Sequence, residues 1–109
     1  MISRADFIFT IGYEGNVAVV DGTSKKRFGS LSTEQLVEQG LFKQALCSAI
    51  HEAQGSGAGA AAIETSPALQ RVLDAYNQKT DRKVSSLAQL MRLFGVFEVP
   101  EGVSRVMVI

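Results

Sequence analysis

The spacing of apolar residues changes twice along this chain, and that change limits the folds open to it. Two β-rich runs come first, Phe7 to Ile11 and Val17 to Val20; from Ser32 to Gly95 apolar residues recur at steps of three and four; after Pro100 they become β-branched and alternating again. A period near two lines one face of a pleated strand, and a period near 3.6 lines one face of a helix. Strands are expected at both ends, with helices between them.

The first two runs are separated by Gly12 to Asn16, where Gly15 and Asn16 tolerate the positive φ of a tight reversal. They read as an antiparallel hairpin. "DGTS", Asp21 to Ser24, is a second turn signal, and "KKRF" after it is expected to return as a short third strand with exposed charges.

Ser32 and Gln35 stand at capping-box spacing and Gly40 closes a short helix. Phe42, Leu46, Ala49, Ile50 and Ala53 share one face of a helix over about 41 to 54. Ser66 is an N-cap before Pro67, and Leu69, Val72, Leu73 and Tyr76 follow at i, i+3, i+4, i+7. Ser85 or Ser86 caps the next stripe, Leu87, Leu90, Met91 and Phe94, which Gly95 ends. The tail "GVSRVMVI" reads as a strand behind the breakers Pro100 and Gly102. The expected class is α+β: a small antiparallel sheet, made of the N-terminal hairpin and the C-terminal strand, packed against three or four helices.

With 109 residues, one compact domain spanning 1–109 is expected. Net charge is zero, so no global field draws the chain to nucleic acid or anionic lipid. The charge is segregated, with residues 31 to 64 at −3 (four Glu against Lys43) and residues 65 to 92 at +3 (five basic against two acidic). The two segments are expected to complement each other within the fold or across a dimer. One cysteine, Cys47, precludes an intramolecular disulfide and fits a reducing compartment. No targeting segment opens the chain and no apolar run reaches the roughly 18 residues of a membrane span, so a cytoplasmic chain with no membrane partner is expected.

"GSGAGA", residues 55 to 60, satisfies the dinucleotide-binding pattern G-x-G-x-x-[GA] in form. That pattern works between a strand and a helix, and here it follows a helix, with Ala75 where an acidic ribose ligand would stand. The stretch from about 55 to 65 reads instead as a flexible connection, and no cofactor is expected. Cys47 and His51 lie four apart on one helix, but the helical wheel turns His51 toward solvent and leaves Cys47 beside the apolar face. Two such residues make no closed metal site. No carboxylate pair is set by a single element, so no catalytic residue is expected. The basic triplet Lys25, Lys26 and Arg27, with Phe28 beside it, is the candidate contact for nucleic acid or an anionic partner: three cations to phosphate and one ring able to stack.

"SLAQLMRLFGV", Ser86 to Val96, resembles the first helix and turn of bacterial helix-turn-helix DNA-binding modules, a likeness that covers about a tenth of the chain. It implies a small nucleic-acid-binding regulator that combines the basic helical region with Lys25, Lys26 and Arg27. The leading expectation is different: a non-catalytic domain acting by contact with a protein partner or by self-association, through strand edges open to pairing.

Overall fold

The computed structural model describes residues 2–55, 66–96, 98–100 and 102–109. Among these, the elements in chain order are α1 (Arg4–Ile8), β1 (Thr10–Glu14), β2 (Val17–Val20), α2 (Gly22–Phe28), α3 (Thr33–Glu38), α4 (Phe42–Gly55), α5 (Pro67–Thr80), α6 (Leu87–Phe94) and β3 (Arg105–Val108). The three strands form one sheet in the order β1-β2-β3, and the helices pack beside it, an α+β arrangement. The expected connection at about 55–65, with the glycine pattern inside it, lies beyond Gly55 outside the described residues.

Helix α4 is the central rod. Ala45, Leu46, Ala49 and Ile50 on it are fully buried, and α1, α3 and α5 all pack against it. Helix α5 begins as its sequence predicts: Ser66 accepts from Leu69 N–H, Pro67 occupies the first turn, and Leu69, Val72, Leu73 and Tyr76 are buried. Ser32 and Gln35 form the complete capping box of α3. Ser86 caps α6, and Gly95 ends it in the left-handed conformation at φ +66°.

Several expectations need correction. The first run is not a strand from Phe7, because α1 covers Arg4–Ile8 and β1 starts only at Thr10. Phe7, Ile8 and Phe9 are buried in succession, which an alternating strand with one face on a core does not permit. Ser3 accepts from Asp6 N–H to start the turn that buries them. "KKRF" is likewise helical: Asp21 caps α2 by accepting from Ser24 N–H, and Lys25, Lys26 and Arg27 fall in the last turn, where cations favour the helix dipole. Finally, the sheet is mixed rather than antiparallel, since β2 and β3 run parallel. A long helical crossover returns the chain in the same direction, which a tight hairpin cannot do. With α1 and α2 added, six helices rather than three or four surround the sheet among the described residues.

Polar side chains tie the loops down. Arg4 donates to Leu31 O (2.6 Å), Gly29 O (3.2 Å) and Ser48 Oγ (2.8 and 3.1 Å). Ser48 and Thr33 hydroxyls meet at 2.8 Å, and Thr33 also donates to Glu52 at 3.2 Å. Since Thr33 has one proton and gives it to Glu52, Ser48 must donate to Thr33. The chain of donors therefore runs from the Arg4 cation to the Glu52 anion through two hydroxyls. Asn77 grips Val84 with both ends of its amide, at 2.8 and 2.9 Å, which holds the α5–α6 connection. Gln54 Oε1 accepts from Val99 N–H at 2.5 Å and anchors the segment after α6 over the end of α4.

No ion pair joins the acidic and basic segments among the described residues, although their charges share a groove. Glu34 and Glu38 of α3 share a groove with Arg71 of α5, and Lys79 donates to Val37 O at 3.4 Å.

Candidate interaction surface

The sheet positions most of the large apolar side chains that the fold leaves in water. Its central strand is well covered: Ala18 and Val20 are fully buried. Its flanks are not. Ile11 and Tyr13 of β1 are 61% and 44% exposed, and exposure rises along the tail from 40% at Val106 to 65% at Ile109.

Local chemistry explains how the strands are held. Of the two hairpin-loop residues only Gly15 has positive φ (+60°), the pattern of a type II′ turn that reserves this place for glycine. Ile11 is the extra residue of a bulge, where pairing jumps from Thr10–Val20 to Gly12–Val19. Asn16 receives β3: its carbonyl accepts from Ser104 N–H (2.9 Å) and Arg105 N–H (3.4 Å), and its amide donates to Ser104 Oγ. At the other end Ile109 donates to Val20 O and accepts from Gly22 N–H, both at 3.0 Å. Gly22 makes this closure feasible, because a Cβ there would stand 2.6 Å from Val108 Cγ1 and 2.9 Å from Ile109 O.

The register sorts the residues of β3. Val106 lies beside Ala18 and Val108 beside Val20, so both continue the core face; Arg105 lies beside Val17 and Met107 beside Val19, on the outer face. Yet the two valines remain 40% and 55% exposed, because the helical layer stops short of β3. The hydrogen-bond phase is equally specific. Arg105 and Ile109 bond to β2, and alternation along a strand then turns the N–H and C=O of Val106 and Val108 to the open side. As one of the two edge strands of the sheet, β3 presents an unpaired edge with all four residues exposed.

The other candidates sit elsewhere. Lys25 is committed to an ion pair with Asp6 (2.5 Å). Burial pushes the Asp6 carboxyl up, but hydrogen bonds from Lys25 and Ser3 and the Lys25 charge outweigh it and hold it below its usual range. Lys26 and Arg27 are exposed on α2, while the half-buried Phe28 packs on the core with the Arg27 guanidinium 5.3 Å from its ring centroid. The structure thus places one cation of the triplet in a bridge and the ring against the core.

His51 does not point into solvent as expected. Its Nε2 lies 3.1 Å from Ile2 O and its ring tilts against Phe7, with centroids 6.2 Å apart. Cys47 is buried at the floor of a cleft of about 290 Å³ lined by Phe7, Tyr13, Lys43 and Val96. Burial pushes its thiol up to about 12, against the opposing charge of Lys43, and burial likewise raises the Tyr13 phenol. A thiol in that state carries almost no thiolate at neutral pH. Iodoacetamide at pH 7.4 is therefore expected to label Cys47 far more slowly in the folded chain than in urea; equal rates in the two states would contradict this burial. Among the described residues no three His, Cys, Asp or Glu side chains come together as a metal site, and no helix is long and apolar enough to cross a membrane.

The exposed edge was only half legible in the sequence. "RVMVI" announces a strand, and its lack of polar residues after Arg105 signals that neither face is dressed for water. Comparison of the chain with protein-family models, curated proteins and solved structures finds no match.

Proposed function

We propose that this chain is a non-catalytic assembly domain that works by protein–protein contact, using β3 and the uncovered flank of the sheet as its contact surface. The observation that supports the reading is the condition of β3: an outermost strand whose four residues are all exposed, apolar beyond Arg105, with free backbone groups on its open side. Proteins commonly blunt such an edge with charge, proline or a covering segment, and an undressed edge is a template for another strand. The inert setting of Cys47 and the engagement of His51 with Ile2 leave the two reactive side chains without a shared nucleophilic arrangement. The nucleic-acid alternative draws less support, because among the described residues after Gly95 no helix follows and β3 is the one element where a recognition helix would stand. With its single thiol buried, we assign this role to the cytoplasm.

Val106→Pro tests the reading. The Val106 N–H faces away from β2, so proline removes a donor only from the open side, and the extended backbone of Arg105 already suits a residue before proline. The variant is expected to keep its far-UV circular dichroism and melting temperature while losing the partners that the wild type retains on an affinity matrix. Unchanged binding by the folded variant, or a wild type that is strictly monomeric and holds no partner, would reject the proposal.

A further inference from the structure

We infer that the strand completing the open edge is β3 of a second copy, paired antiparallel about a two-fold axis at Met107 to make one continuous six-stranded sheet. This rests on the proposed role of β3 as a contact strand and names its occupant.

The hydrogen-bond phase and the valine spacing together select the axis. Val106 and Val108 both turn N–H and C=O outward, so an antiparallel neighbour must offer residues of the same phase at the same spacing. With the dyad at Met107, Val106 faces Val108 of the second copy and Val108 faces its Val106, so both valines of each chain exchange both backbone bonds. Moving the axis by half a residue sets bonded groups against free ones. Moving it by one residue keeps the phase but leaves one valine of each chain without a valine opposite; on Val106, for instance, it sets Val108 against Ser104, whose N–H already goes to Asn16 O.

Side chains agree with that register. The valines meet on the core face, where the helical layer leaves them 40% and 55% exposed, and the two Met107 side chains meet on the outer face. β-branched cross-strand pairs of this kind favour pairing. Charge is complementary as well. Arg105 falls opposite Ile109 of the second copy, and the next strand over presents Asp21 in the same row, because Ile109 closes onto the backbone just after Val20. Two strand spacings are about 10 Å, a gap that an arginine side chain bridges. Asp21 is held in its ionised form by hydrogen bonds from Ser24. The dyad creates the Arg105–Asp21 approach twice, while the two Arg105 residues stay about 13 Å apart along the strands, beyond the screening length of about 10 Å at 0.1 M salt.

Met107→Cys reads the register directly. A non-hydrogen-bonded antiparallel pair brings Cα atoms to about 4.5 Å, inside the range a disulfide accepts. With oxidised glutathione, Met107→Cys is expected to form a covalent dimer about tenfold or more faster than Arg105→Cys, whose counterpart lies across the dyad. The wild type should form none, because Cys47 is buried. Light scattering should find a wild-type mass rising with concentration toward twice 11.7 kDa, and 11.7 kDa for Val106→Pro. Val106→Lys provides the same block should the proline variant fold poorly. A wild type that stays at 11.7 kDa at submillimolar concentration, or Met107→Cys that couples no faster than Arg105→Cys, overturns the self-pairing. If such a monomer still binds a different protein and loses it on Val106→Pro, the contact role of β3 stands and only its occupant is wrong; if it binds nothing, both readings fall.

Discussion

Tyr76→Ala is expected to destabilise the fold by about 3 to 5 kcal/mol, the usual cost of removing a buried aromatic ring. The ring of Tyr76 stands edge-on to Phe42 at 5.3 Å and to Phe94 at 5.4 Å, so one side chain of α5 joins the start of α4 to the end of α6. Each edge-to-face pair contributes about 0.5 to 1.5 kcal/mol beyond the area it buries. Alanine loses both pairs and leaves a hole between three helices. For a domain of ordinary stability, about 5 to 15 kcal/mol, the urea midpoint should fall by a large fraction of its value. Tyr76→Phe keeps both contacts and should cost no more than about 1.5 kcal/mol. Amide exchange gives the local readout: protection should drop first in α6, whose Phe94 stands on this ring and whose Leu87, Leu90 and Met91 pack on the core. A loss below about 1 kcal/mol for the alanine variant would mean that the aromatic chain does not dock α6.

Arg4→Ala should cost about 3 kcal/mol, a sum expected from several charge-assisted bonds of about 1.5 to 3 kcal/mol each, reduced where water replaces them. The guanidinium holds two loop carbonyls, Gly29 and Leu31, and feeds Ser48, which is fully buried. Removing it breaks the donor order that runs on through Thr33 to Glu52. Arg4→Lys should rescue only part of the loss, since an ammonium is a single point and cannot span three acceptors in the plane of a fork. Urea unfolding of the three proteins checks this. Equal stability of Arg4→Lys and wild type would show that charge, and not geometry, makes the contact.

Neither Tyr76 nor Arg4 is equally visible in the sequence, and the contrast is instructive. Tyr76 belongs to the stripe Leu69, Val72, Leu73, Tyr76, and that stripe is buried as its spacing predicts. Its partners, Phe42 and Phe94, also lie on predicted apolar faces, although their mutual angles depend on how three helices cross. Arg4 gives no such signal. An arginine three residues from the start of a chain looks like a solvated charge until α1, α4 and the loop before α3 are brought together around it.

The same division runs through the candidate surface. That residues near 105 form a strand follows from their β-branched composition and the breakers before them. That β3 runs parallel to β2, lies outermost and turns Val106 and Val108 outward follows from pairing with residues far away in the chain. The misread N-terminal segments tell a related story. A five-residue helix such as α1 has too little local stability to declare itself, and exists because Phe7 and Ile8 are buried against other elements. In "DGTSKKRF" the turn signal at Asp21 is a helix cap, a role the same side-chain chemistry serves equally well.

What the sequence by itself determined are the features made within a few residues: the caps at Ser32, Ser66 and Ser86, the stops at Gly40 and Gly95, the apolar stripes of α4, α5 and α6, and the hairpin turn at Gly15. These depend on hydrogen bonds and side-chain spacing over three or four positions, which the order of residues specifies directly. Only the tertiary structure decided the direction and placement of β3, the helical state of the short segments, the Arg4-to-Glu52 relay and the open edge. Each of those rests on which distant groups supply or withhold a partner, and a backbone N–H carries no mark in the sequence to show which way it will face.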